Sequence, residues 1–138
     1  MILVDTSAWV EHLRATGSDV GKRLDRLIDE GAELVTTEAV VMELLAGADT
    51  SARELALEQL TSGLPVLSID PALDFRRAAQ IYQRARLGRE RNGGRTVRSL
   101  LDCLIASVAL RYDVSVLHRD ADFDAIAAVT GLRVQGAG

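Results

Sequence analysis

The chain opens with an unbroken apolar run, Ile2-Leu3-Val4, that stops at Asp5 and gives way to Thr6 and Ser7 before a helical pattern begins. A short all-apolar run rich in β-branched residues predicts a strand buried on both faces, as in a parallel sheet. Four more runs predict strands: Glu33-Leu34-Val35-Thr36, Val66-Leu67-Ser68-Ile69, Val114-Ser115-Val116-Leu117, and a short Arg133-Val134. Helical spacing fills the intervals, over about 7–14, 37–46, 50–62, 71–87, 97–112 and 122–129. A further helix is capped by Ser18 and closed by Gly31, with Leu24, Leu27 and Ile28 on its buried face. Asp70-Pro71 predicts an N-cap followed by proline at the first helical position. Gly88 and Asn92-Gly93-Gly94 mark a loop. Strands alternating with helices imply an α/β fold: a mostly parallel sheet of five strands, flanked by helices on both faces. No repeat or linker divides the 138 residues, so a single domain over 1–138 is expected.

Composition narrows this picture. No apolar run approaches the ~18 residues that a membrane span requires, and the start lacks a signal-peptide pattern, so a cytoplasmic protein is expected. The lone cysteine, Cys103, sits in an apolar helical stretch and is read as a small core residue. The net charge of −4 argues against nucleic-acid binding. Its distribution argues the other way, because eight of the sixteen basic residues fall between Arg76 and Arg98, all of them arginine. Such a segment is either a set of phosphate contacts or a solvated helix face.

The acids carry the chemistry. Asp5 stands at the carboxyl end of the first strand, where α/β sheets bind ligands, although Asp5, Thr6 or Ser7 would also serve as a helix cap. Glu43 has Ala39, Val40, Ala46 and Gly47 as helical neighbours, and Asp102 has Arg98, Ser99, Ile105, Ala106 and Ala109. Acids in such surroundings are paired with a cation or coordinate a metal. An Arg98–Asp102 pair is the structural alternative, in the poorer of the two orientations. Asp120, Asp122 and Asp124 follow the fourth strand, and one of them should cap the last helix. They do not open a calcium loop, since Ala125 and Gly131 stand where glycine and glutamate are needed. Carboxylates that converge on one sheet edge require a cation to neutralise them. Oxygen-only donors select magnesium or manganese. His12 and His118 lack partners at zinc-ligand spacing.

Val4-Asp5-Thr6-Ser7, Glu43-Leu44-Leu45-Ala46-Gly47, Leu101-Asp102-Cys103-Leu104-Ile105-Ala106 and Leu117-His118-Arg119-Asp120-Ala121-Asp122-Phe123 resemble the four acidic motifs of PIN-domain ribonucleases. More narrowly, they resemble those of the VapC-type toxins of bacterial toxin–antitoxin pairs. The resemblance implies a PIN-like three-layer fold around five strands and a magnesium-dependent endoribonuclease, with manganese able to substitute. It implies Asp5, Glu43, Asp102 and Asp120 as metal-binding acids, Asp122 as a further acid, and Ser7 as a hydroxyl that orients the attacking water. It also implies an RNA substrate contacted by Arg89, Arg91, Arg95 and Arg98, a VapB-like antitoxin, and a homodimer.

Three other readings compete. A receiver domain needs a late-strand lysine, and the chain's only lysine is Lys22. A dehalogenase-type phosphatase needs an aspartate where Ser7 stands. A non-catalytic PIN-fold binding module remains, against which the full acid set counts. The antitoxin is expected in a groove built from Trp9, Leu24, Leu27 and Ile28, with ordinary core packing of these residues as the alternative.

Overall fold

The computed structural model of the chain describes residues 1–88, 94 and 97–136. The elements run β1 (Ile2–Val4), α1 (Thr6–Leu13), α2 (Asp19–Asp29), β2 (Leu34–Val35), α3 (Glu38–Ala46) and α4 (Ser51–Ser62). They continue with α5 (Asp74–Leu87), α6 (Leu100–Tyr112), β3 (Ser115–His118), α7 (Ala121–Val129) and β4 (Val134–Gly136). The sheet has the order β2-β1-β3-β4, and every pairing in it is parallel. Leu3 of β1 sits between Val35 of β2 and Val116 of β3, and all three are wholly buried. This is why Ile2–Val4 and Leu34–Val35 are apolar at every position: helices cover both faces.

The expected strand over 66–69 shrinks to one parallel bridge, Thr36 to Val66, so the sheet has four strands among the described residues. Thr36 N donates to Pro65 O and Leu67 N to Thr36 O, and the ladder stops there. The next donor along, Ile69 N, goes to Glu38 Oε2 at 3.0 Å, because the paired segment has already turned into α3. Val66 is exposed on its outer side.

Two helices begin later than their apolar patterns. Asp70 Oδ1 caps the N–H groups of Ala72 and Leu73, but 71–73 form a turn and α5 starts at Asp74. The helix expected from Val97 starts at Leu100, with Ser99 Oγ accepting from Asp102 N. Ser18 caps α2 as expected.

The groove expected around Trp9 is not there. Trp9, Leu24 and Leu27 are 1%, 0% and 3% exposed and form core between α1, α2 and the sheet, while Ile28 alone faces solvent. Among the described residues no helix is long and apolar enough to cross a membrane.

Candidate metal centre

Asp5 serves as both cap and site residue. It is the N-cap of α1, and its Oδ2 accepts from Ser7 N at 3.0 Å and from Ser7 Oγ at 2.6 Å. Its other oxygen, Oδ1, is buried with no hydrogen-bond partner. The backbone on either side is fixed by the sheet, since Asp5 N donates to Leu117 O. One residue on, Thr6 Oγ1 donates to Glu43 Oε1 at 3.0 Å and draws the α3 acid towards the end of β1.

Asp102 arrives from α6. It lies in the first turn, 4% exposed, and its Oδ2 also lacks a partner. One carboxylate oxygen from each of Asp5, Glu43 and Asp102 lies within 4.8 Å of the others. Asp102 also groups with Asp120 and Asp122 within the same limit. Asp120 caps α7 through Oδ1, which accepts from Asp122 N at 2.9 Å. Asp122 Oδ2 accepts from the backbone N–H of Arg98 and of Ser99, each at 3.0 Å. Asp122 is therefore also the clamp that ties the start of α6 to α7. Asp124 belongs to neither group; its Oδ1 faces His118 Nε2 at 3.5 Å.

Burial and mutual repulsion govern the electrostatics. The Asp102 acid is pushed up to about 9, by burial first and then by Asp5 and Asp120. Burial also raises Asp5, outweighing the bonds from Ser7 that oppose it. Glu43 is raised by burial and by Asp5 and Asp120, against the Thr6 hydrogen bond. Among the described residues, no ion pair involves Asp5, Glu43, Asp102 or Asp120. The Arg119 side chain turns to Glu11 instead, and the Arg98–Asp102 pair is not formed. An all-oxygen donor set with two buried carboxylate oxygens that have no hydrogen-bond partner, and no ion pair, among the described residues fits a hard divalent cation.

Ser7 Oγ spends its hydrogen on Asp5 and accepts from Arg119 N at 2.8 Å, so its visible work is to orient Asp5 against the end of β3. Thr6 and Ser99 are site residues that the sequence reading passed over. Ser99 was legible as a hydroxyl three residues before Asp102, the spacing of a helix cap; Thr6 had no signal beyond its neighbour. Arg89, Arg91 and Arg95 lie outside the described residues, and Arg98 is exposed.

The PIN domain profile matches residues 2–129. The chain is 49% identical over 134 residues to ribonuclease VapC11 of Mycobacterium tuberculosis, covering 96% of each chain. Among solved structures, it matches VapBC-5 from Mycobacterium tuberculosis with a TM-score of 0.57 and 27% identity, over 97% of this chain and 94% of that one. FitAB bound to an IR36 DNA fragment matches with a TM-score of 0.72 and 24% identity, over 99% and 95% of the two chains. The chain belongs to the PIN-domain family. Within that family its similarity is to the VapC ribonucleases.

Proposed function

We propose that this protein is the toxin of a VapBC-type toxin–antitoxin pair, a magnesium-dependent endoribonuclease that hydrolyses RNA phosphodiester bonds and is held inactive by a VapB-like antitoxin. The observation that carries the proposal is the convergence of Asp5, Glu43 and Asp102, with buried oxygens on Asp5 and Asp102 that no group among the described residues satisfies. The 49% identity to a ribonuclease supports the same reading, and the receiver alternative falls with the family assignment. The non-catalytic reading has no observation in its favour, because the acid set is complete and assembled.

Asp5, Glu43, Asp102 and Asp120 would hold the ion, with Asp122 beside them; manganese, which takes the same oxygen donors, is the expected substitute. A divalent cation there supplies Lewis acidity at the scissile phosphate and makes water a stronger nucleophile at neutral pH. The chain's own residues prepare that site. Ser7 and Thr6 aim Asp5 and Glu43, while Ser99 and Asp122 fix the α6 start and with it Asp102. Asp102, pushed up to about 9, would hold a proton at neutral pH that cation binding would displace.

No histidine dyad serves the 2′-hydroxyl route. His12 pairs with Asp25 on α2, and His118 is buried behind Asp120. Arg89, Arg91, Arg95 and Arg98 would contact RNA phosphates outside the acidic pocket. Residues 1–138 act as one PIN-like domain, working as a homodimer in the cytoplasm.

Purified protein incubated with total RNA tests the mechanism. Cleavage should require magnesium and leave 5′-phosphate and 3′-hydroxyl ends. Cleavage that survives chelation, or that leaves 2′,3′-cyclic phosphates, would overturn it.

A further inference from the structure

Behind Asp120 sits a buried imidazole that belongs to neither acid group. His118, the last residue of β3, is 2% exposed, and its Nδ1 accepts from Asp120 N at 3.1 Å. An accepting Nδ1 puts the ring hydrogen on Nε2. That nitrogen is buried and makes no hydrogen bond among the described residues, with Asp124 Oδ1 facing it at 3.5 Å. The ring packs on Phe123, with centroids 5.2 Å apart, and is opposite Gly136 in the β3–β4 register. A Cβ at residue 136 would approach the ring's Cε1 and Nε2 to 3.2 Å, a tight contact that glycine on the edge strand avoids.

The two N–H groups that follow β3 are thus both held by side chains. Arg119 N donates to Ser7 Oγ, which also aims Asp5, and Asp120 N donates to His118 Nδ1. Asp120 Oδ1 is already committed to Asp122 N, so the direction of its carboxylate follows the backbone of this turn. We infer that His118 is a positioning residue for the cation site: by accepting the Asp120 N–H at Nδ1 it fixes the α7 N-cap and keeps the Asp120 carboxylate directed at Asp102. The inference rests on the metal reading proposed above and extends it to a residue that touches neither ion nor substrate. Outer partners of this kind change metal affinity about 10–100-fold.

His118→Asn and His118→Gln separate this role from simple filling of space. The asparagine side-chain oxygen can stand in for Nδ1, whereas glutamine reaches the position of Nε2 and leaves the Asp120 N–H without an acceptor. The readout is calorimetric titration of the full chain with Mn2+ in the absence of RNA, with folding matched by circular dichroism. The Gln variant should bind Mn2+ about 10–100-fold more weakly than wild type, and the Asn variant should stay within about threefold. Equal Mn2+ affinities in the two variants, whether both retained or both lost, would overturn the assignment. A wild-type protein that bound no Mn2+ would overturn the metal reading itself, and this inference with it.

Discussion

Asp74 Oδ2 accepts from Arg111 Nη2 at 2.7 Å, and Arg111 Nε reaches the second oxygen of the same carboxylate at 3.2 Å. Ser107 Oγ and Asp70 N complete the shell, at 2.8 and 2.7 Å. Burial pushes the Asp74 acid up, but the Arg111 and backbone hydrogen bonds outweigh it and hold the group below its ordinary value. Asp102 is the opposite case. It too is buried near a helix start, yet among the described residues no guanidinium answers it and its charged neighbours are other carboxylates. One acid fastens α5 to α6; the other belongs to the metal centre.

Removing Asp74 should therefore damage stability and spare chemistry. Asp74→Ala leaves Arg111 without its carboxylate and should cost about 3–5 kcal/mol in urea unfolding. Cleavage per folded molecule should stay at the wild-type level. A stable variant with lost activity would move Asp74 into the site.

The chelated protein should lose stability as pH rises. A folded-state pKa raised to about 9 for Asp102 means that the folded chain holds a proton that the unfolded chain has released. The contribution is full below about pH 4, the ordinary aspartate value, and is gone once pH passes about 9. Melting temperature in chelator should fall between pH 5 and 9, and Asp102→Asn should flatten that slope. A wild-type profile level across this range would contradict the raised acid.

Magnesium should reverse the effect at pH 8. At a hundredfold excess over its dissociation constant a ligand adds about 2.7 kcal/mol. Asp5→Asn and Asp102→Asn should lose most of this gain and all RNA cleavage, with chelated stability at pH 8 equal to or above wild type. A clear loss of chelated stability in both variants would mean that these acids hold the fold together.

Ser7→Ala removes the hydroxyl bond to Asp5 and the acceptor for Arg119 N. Unfolding should become easier by about 1–3 kcal/mol, the cost of an unsatisfied buried group. Magnesium affinity measured by calorimetry should weaken as well. A variant with unchanged affinity and slowed cleavage would favour the water-orienting role.

Changing Arg89, Arg91 and Arg95 together to alanine should weaken RNA binding and reduce its salt dependence, by a slope of about 2 for a single strand. Mn2+ affinity should not move. Unchanged RNA affinity would return this segment to a solvated surface.

Much of the candidate site was legible because its acids stand where packing alone would not place them. Glu43 and Asp102 stand among alanine, valine and leucine, and Asp5 and Asp120 each end an apolar strand. The reading was weaker wherever a residue's meaning depends on what lies opposite. Trp9, Leu24 and Leu27 had a pattern equally suited to a groove or a core, and only the closure of α1 and α2 on the sheet made them core. Strand 66–69 failed for a related reason: its apolar pattern was sound, but the segment it pairs with turns into α3 at Glu38, and the next donor along, Ile69 N, goes to the Glu38 side chain instead of a strand backbone.

The sequence by itself determined the alternation of buried strands and helices, and with it a parallel sheet whose carboxyl edge collects the acids. These are local properties, set by apolar periodicity and by charges that apolar neighbours cannot solvate. Only the tertiary structure decided which acids share a pocket and which are neutralised. Asp74 finds Arg111 37 residues away, Glu43 finds Thr6 across the same interval, and Asp122 finds the backbone at the start of α6. A carboxylate's free energy depends on the donors and charges within a few ångströms of it, and chain folding, which brings distant segments together, is what sets that distance.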